Sequence, residues 1–219
     1  MTNWLRMLLV SSMPYISIET LSAFALTSLV IELTPGPNMA YLAVLTLGHG
    51  RREGFAATFG IALGLGIVGV AAALGLAALI SSSILLYETL RWAGFAYLMW
   101  LAWVGWQGAA ETSPGEAHTA FFKRGLVTNL LNPKAAVFYV AVLPSFVEPG
   151  AGVLGQTVTL SLVYVCLATA IHLTIVMLAG SARSFLDDPD RTRIVRRVLS
   201  VGLAIIAVWF TVSTARVAV

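Results

Sequence analysis

Two prolines and a glycine interrupt an apolar run that is otherwise long enough to cross a bilayer. The run extends from about Ile18 to Leu47, and the interruption reads Thr34-Pro35-Gly36-Pro37-Asn38. Proline lacks an N–H and its ring collides with the preceding turn, so the pair ends one helix before another begins. A carboxylate, Glu32, stands just upstream. An ionisable group at membrane depth costs about 2.5–3.5 kcal/mol on insertion scales and by default marks a functional position. A second interruption, Asn132-Pro133-Lys134, falls in the other half of the chain. The two breaks are expected to form the two sides of one site.

The apolar character is spread over the whole chain. Of 219 residues, 58% are hydrophobic and 11% charged, where soluble domains carry about 25% charged residues. Mean hydropathy is +0.88. The chain is therefore read as an all-α membrane protein folded as one compact bundle within the lipid bilayer. The pI near 9.3 does not indicate a nucleic-acid partner, because the positive charges gather in loops between apolar segments. The single cysteine, Cys166, rules out an intrachain disulfide and is expected to pack as a small apolar residue. Residues 1–17 are taken as an N-terminal extension of uncertain role, with Met7 to Val10 too short for a signal-peptide core. Residues 1–12 are either an interfacial extension or the product of an upstream start codon.

Six apolar segments follow: Ile18 to Leu47, Phe55 to Ile80, Trp92 to Ala110, Gly125 to Phe146, Val153 to Gly180 and Val198 to Val212. Ser81 to Arg91 and Glu111 to Arg124 are expected connections, and Glu148 to Gly152 a tight turn. The second segment carries Gly60 and Gly64 in GxxxG spacing. Small residues let membrane helices approach closely, either within the monomer or across a homodimer. The acidic group Asp187-Asp188-Pro189-Asp190 lacks the spaced ligands of a calcium loop and reads as a turn and helix cap. Loops one, three and five hold nine Lys and Arg residues, the opposite side three. That bias predicts cytoplasmic odd loops and both termini outside.

Three segments per half is an odd number, so related halves would insert in opposite orientations. Pro35 to Gly54 and Pro133 to Gly152 are both separations of nineteen. A small or apolar stretch with a tyrosine, Tyr41 or Tyr139, follows each break. The expected architecture is six transmembrane helices in two inverted three-helix repeats, about 18–110 and 125–216, with the first and fourth helices broken. Such folds hold substrate near the midplane between discontinuous helices.

The breaks dictate a chemistry. Thr34 and Asn132 read as N-caps with Pro35 and Pro133 at the first helical position; alternatively Gly36 caps and Pro37 starts the helix. Either way a helix N-terminus at membrane depth favours a carboxylate, and the preceding free carbonyls suit an ammonium. Glu32 either binds that ammonium or carries a proton, or else forms a structural pair with Lys134. Lys134 is the counter-ion, holds substrate carboxylate, or snorkels. Asn38, Thr128, Asn129 and Asn132 offer hydrogen bonds to substrate or to freed backbone groups. His172 is a candidate for proton coupling, or else a helix–helix contact. No metal-ligand cluster, Walker loop or nucleophile–base signature is present in the sequence, so neither cofactor nor enzymatic chemistry is expected.

Glu32-Leu-Thr-Pro-Gly-Pro-Asn38, the basic loop Arg51-Arg-Glu-Gly54, the glycine-rich second segment, Trp92-Ala-Gly94-Phe-Ala-Tyr97-Leu and Asn132-Pro-Lys-Ala-Ala136 together resemble the lysine-exporter (LysE/RhtB) family over roughly residues 18–216. The resemblance implies secondary-active, proton-linked export of amino acids or their derivatives across the bacterial cytoplasmic membrane. Its motifs fall on Pro35, Gly36, Pro37, Asn132, Pro133 and Lys134. Members differ in substrate among lysine/arginine, homoserine/threonine, leucine and cysteine derivatives. The rival expectations are a cation or metal exporter using the same site, and a membrane-embedded enzyme.

Overall fold

The structure, a computed structural model, describes residues 16–75, 83–107, 117–148, 152–183 and 189–213. Every regular element among them is helical. α1 (Ile18–Leu33) starts at Ser17, whose hydroxyl accepts the Thr20 N–H at 3.0 Å. It buries Phe24, Ser28 and Glu32, spaced by four, so only a narrow stripe faces the protein. After the first break, α2 (Pro37–His49) is buried over most of its length. Gly50 alone separates it from α3 (Arg51–Ala73), with φ 108°, a left-handed conformation suited to glycine. The chain doubles back there, because a side chain at Gly54 would collide with Thr46 on the other side of the joint.

α4 (Ile84–Gln107) is followed by α5 (Ala117–Leu130), the second break, and the short α6 (Pro133–Val137). A π-helical turn, Phe138–Val142, and a 3-10 turn, Leu143–Phe146, complete that segment. α7 (Val153–Arg183) and α8 (Pro189–Ser213) finish the bundle. The two broken segments bend by 56° and 50°.

Glycine decides the closest packing. A Cβ on Gly60 would run into the Phe122 carbonyl, and one on Gly125 into the Ala57 carbonyl. α3 and α5 therefore touch backbone to backbone and run parallel, since Glu53, Gly60 and Gly64 meet His118, Phe122 and Asn129 in rising order. The GxxxG pair is used inside the chain. Gly94 brings α4 against the Leu131 carbonyl at the second break. α4 and α8 are antiparallel: Arg91 donates to the Thr211 carbonyl at 3.0 Å and pairs with Glu88, while Arg197 lies over Trp106 at the other end. α3 and α7 are antiparallel too. Arg51 donates to Met177 carbonyl and the Ser181 hydroxyl, and Gly69 lies against Ser161.

Several sequence boundaries shift. Residues 84–91 belong to α4, which puts Arg91 inside a helix and not in a connection. Its charge is met by Glu88 and by a carbonyl of α8, which a sequence window cannot see. The connection before the fourth segment is likewise shortened, with Lys123 and Arg124 already in α5. Cys166 is exposed on α7 instead of packed, because the buried stripe of that helix runs through Tyr164 and Ala168. Among the described residues two helices, Arg51–Ala73 and Val153–Ala182, are long and apolar enough to cross a membrane, or up to four spans if each bent pair counts as one. Residues 1–15, Asp187 and Asp188, and positions 149–151 of the expected turn lie outside the described residues.

Candidate functional site

The break after α1 frees carbonyls and the break before α2 frees N–H groups. Thr34 is not an N-cap but the residue closing α1, and its hydroxyl turns back to the Val30 carbonyl at 3.3 Å. Gly36 caps α2 with Pro37 in its first turn, so the alternative register applies. The reason is steric: Thr34 is extended, as a residue before proline must be, and so is Gly36. Glycine offers no side-chain cap. Pro37 has no N–H, so the N–H groups of Asn38 and Met39 are left without an intrahelical acceptor.

The second break behaves differently. Asn132 does cap α6, its Oδ1 accepting the Lys134 N–H at 3.0 Å. Lys134 then reaches to the first break. Its ammonium donates to the Thr34 carbonyl at 2.9 Å and to Glu32 Oε2 at 3.5 Å. Gly36 leaves room for the lysine stem; a Cβ there would sit 3.3 Å from Lys134 Cδ. An ammonium thus lies between a carboxylate and a helix-end carbonyl, contributed by the protein itself.

Glu32 is 4% exposed, and its carboxylate is held on three sides. Tyr164 donates its hydroxyl to Oε1 at 2.6 Å. Lys134 approaches Oε2, and His172 Nε2 stands 3.9 Å from the same oxygen. That last distance is too long for a hydrogen bond. His172 is 1% exposed, and neither ring nitrogen has a hydrogen-bond partner among the described residues. The Tyr164 ring is stacked on Phe138, centroids 3.7 Å apart, and meets Tyr139 edge-on. Tyr139 in turn donates to the Leu65 carbonyl on α3 at 3.0 Å. The aromatic cluster fixes the phenol that holds Glu32.

Asn38 and Asn129 form a buried pair, the Asn38 amide donating to Asn129 Oδ1 at 3.0 Å. Asn38 Oδ1 and Asn129 Nδ2 remain without partners. A buried amide left half-paired costs about 1–3 kcal/mol, and an amide at this position has one donor and one acceptor to offer a ligand. Thr128 does not join them; its hydroxyl donates to the Arg124 carbonyl at 2.6 Å.

The site therefore brings together Glu32, Thr34, Lys134 and His172 at one point. Asn38 and Asn129 form a second pair, with Asn132 working as a cap. Sequence reasoning missed Tyr164, Phe138 and Tyr139. A signal was present: Thr157, Ser161, Tyr164 and His172 lie on one stripe of α7 at spacings of three, four and eight, and all are buried. No group of His, Cys, Asp and Glu able to hold a metal occurs among the described residues.

Comparison with known proteins places the chain in a family. The family described as LysE type translocator matches residues 29–214. A homoserine/homoserine lactone efflux protein of Salmonella typhimurium is 31% identical over 176 residues, 78% of this chain and 85% of that protein. A leucine efflux protein of an Enterobacter species is 28% identical over 194 residues, 86% of this chain and 90% of that protein. An uncharacterized membrane protein of Vibrio cholerae is 29% identical over 173 residues, covering 77% and 84%. No solved structure matches the chain. Both breaks and every site residue named in this section lie within the matched region, and the chain belongs to the LysE type translocator family, membrane transporters of small molecules and not enzymes.

Proposed function

We propose that this protein exports amino acids or close derivatives across the bacterial cytoplasmic membrane by alternating access around the paired breaks. One observation carries the reading: Lys134 puts an ammonium between the Glu32 carboxylate and the Thr34 carbonyl. A substrate ammonium fits the same two acceptors, so the lysine is an internal occupant that substrate displaces. The open N-terminus of α2 and the unpartnered Asn129 Nδ2 donor suit the carboxylate at the other end of a zwitterion. The efflux activities named for the relatives above support the same class of cargo.

Glu32 and His172 are the proposed proton carriers, in exchange for which substrate leaves. A proton on Glu32 releases both Lys134 and a bound ammonium, which is what antiport demands of a shared site. The inverted repeat of two three-helix units is part of the proposal. It is supported by corresponding helices running antiparallel, α3 against α7 and α4 against α8. Six spans, cytoplasmic odd loops and external termini follow from the loop charges.

The test is an untargeted comparison of external metabolites from cells with and without the protein, together with resistance to toxic amino-acid analogues. Wild type should raise one or a few external amino acids. Glu32→Gln and Lys134→Ala should abolish that rise while still inserting into the membrane. Normal export by both variants would remove the pair from the mechanism, and rescue by metal salts alone would point to a cation exporter.

A further inference from the structure

Three helical positions on α2 share the face that carries Asn38: Tyr41, Leu45 and His49. With Arg124 of α5 and Leu101, Val104 and Gly105 of α4, they line a second cavity of about 30 Å³, separate from the Glu32 site. The space admits about two water-sized groups, comparable to the two oxygens of one carboxylate, and no whole amino acid, so a ligand enters it by that end alone. Its polar groups are unusual. Tyr41 is 4% exposed, and its hydroxyl has no hydrogen-bond partner. Arg124 has its guanidinium 5.6 Å from the Trp100 ring centroid and 5.4 Å from that of Phe121, with no carboxylate paired to it among the described residues. Ring faces satisfy its charge in part. The guanidinium is half-buried, and its N–H donors, which match a carboxylate, have no carboxylate partner among the described residues.

A snorkelling arginine that only sets topology accounts for the position of Arg124. It does not account for a buried phenol with no partner on the same cavity wall. Both groups can donate to one small anion. We infer that Arg124 and Tyr41 form a carboxylate-binding station about one helical turn from Asn38, where the substrate's carboxylate halts before reaching the Asn38–Asn129 pair and the open end of α2. The role in transport rests on the exporter reading; the anion site itself does not.

Two measurements separate these. The first uses the full-length protein in lipid nanodiscs, titrated with sodium acetate at constant ionic strength while tryptophan fluorescence is recorded. Trp100 beside Arg124 is the reporter, checked by Trp100→Phe. Acetate should give a saturable change that is lost in Trp100→Phe. The midpoint should weaken about tenfold or more in Arg124→Gln, from loss of a charged hydrogen-bond donor, and less in Arg124→Lys. Tyr41→Phe removes only the unpartnered hydroxyl, so a purely structural phenol predicts an unchanged midpoint and an unchanged or higher melting temperature. The inference predicts a weaker midpoint with that melting behaviour retained. No saturable response, or the same midpoint in Arg124→Gln, would overturn it. A chloride titration that reproduces the acetate response at equal affinity would assign the station to inorganic anions and overturn the carboxylate assignment. The second measurement is the external leucine and homoserine produced by cells carrying each variant. Export by wild type that is reduced in Arg124→Gln supports the station's role, and unchanged export in that variant ends it. A wild type that raises no external amino acid in the untargeted comparison, yet still binds acetate through Arg124, defeats the cargo reading and leaves the anion site standing.

Discussion

The two breaks share their prolines and divide the work. The first is open: a glycine with no side chain caps α2, and the last carbonyl of α1 is reached only from another part of the chain. The second is closed by its own residues, Asn132 capping α6 within two positions. Having satisfied itself, the second break extends Lys134 to complete the first. The anchoring differs as well. α5 is locked to α3 by backbone contacts at Gly60 and Gly125, whereas α1 buries one narrow stripe and exposes Leu26, Val30 and Leu33. The contrast teaches that a repeated sequence signal need not mean a repeated role. One break supplies the opening, and the other supplies the group that fills it.

The largest disturbance should come from attacking the anchor. Gly125→Val forces a side chain into the Ala57 carbonyl. It should lower the folded, membrane-inserted yield more than any change at the breaks, measured by monodispersity after detergent extraction. Next is the cross-link between the breaks. Lys134→Met leaves Glu32 buried without its cation and should destabilise by about 3 kcal/mol. The double variant Glu32→Gln with Lys134→Met should lose less than the two singles combined, by about 1 kcal/mol, in thermal unfolding of the purified protein. Strict additivity would show that the pair is not coupled. Tyr164→Phe removes one charged hydrogen bond to Glu32, worth about 1.5 kcal/mol, and should slow export about tenfold with little change in yield. Smallest is the capping difference itself. Asn132→Ala should cost about 1 kcal/mol by loss of the cap. Gly36→Ser, which adds a cap to the open end, should change stability by only a few tenths while weakening export, because its side chain crowds the Lys134 stem and competes for the free N–H groups.

The sequence made the breaks legible because proline leaves a local mark that no tertiary context erases. The sequence leaves the relation of Glu32 to Lys134 open between substrate binding and structural pairing, and the geometry shows the pair. Tyr164 was hidden for the opposite reason. A tyrosine in a continuous apolar helix is locally unremarked, and only the rotation of α7 against α1 turns its hydroxyl to Glu32. The sequence leaves Thr34 and Gly36 as alternative caps because Thr-Pro and Gly-Pro both read as helix starts, and the choice between them depends on how the backbone bends through 56°. The early start of α4 was missed because Glu88 and Arg91 look like loop charges until they are paired with each other across one turn.

Gly50 adds a mechanical consequence. A one-residue joint leaves α2 and α3 almost no freedom to swing apart, with Thr46 and Gly54 in contact across it. α3 is in turn fastened to α5 by glycine and to the end of α7 by Arg51. α2, α3 and α5 are thus packed against one another without spacing, and α1, joined to them at Pro35, has its far end tied down by the bond from Lys134 to the Thr34 carbonyl.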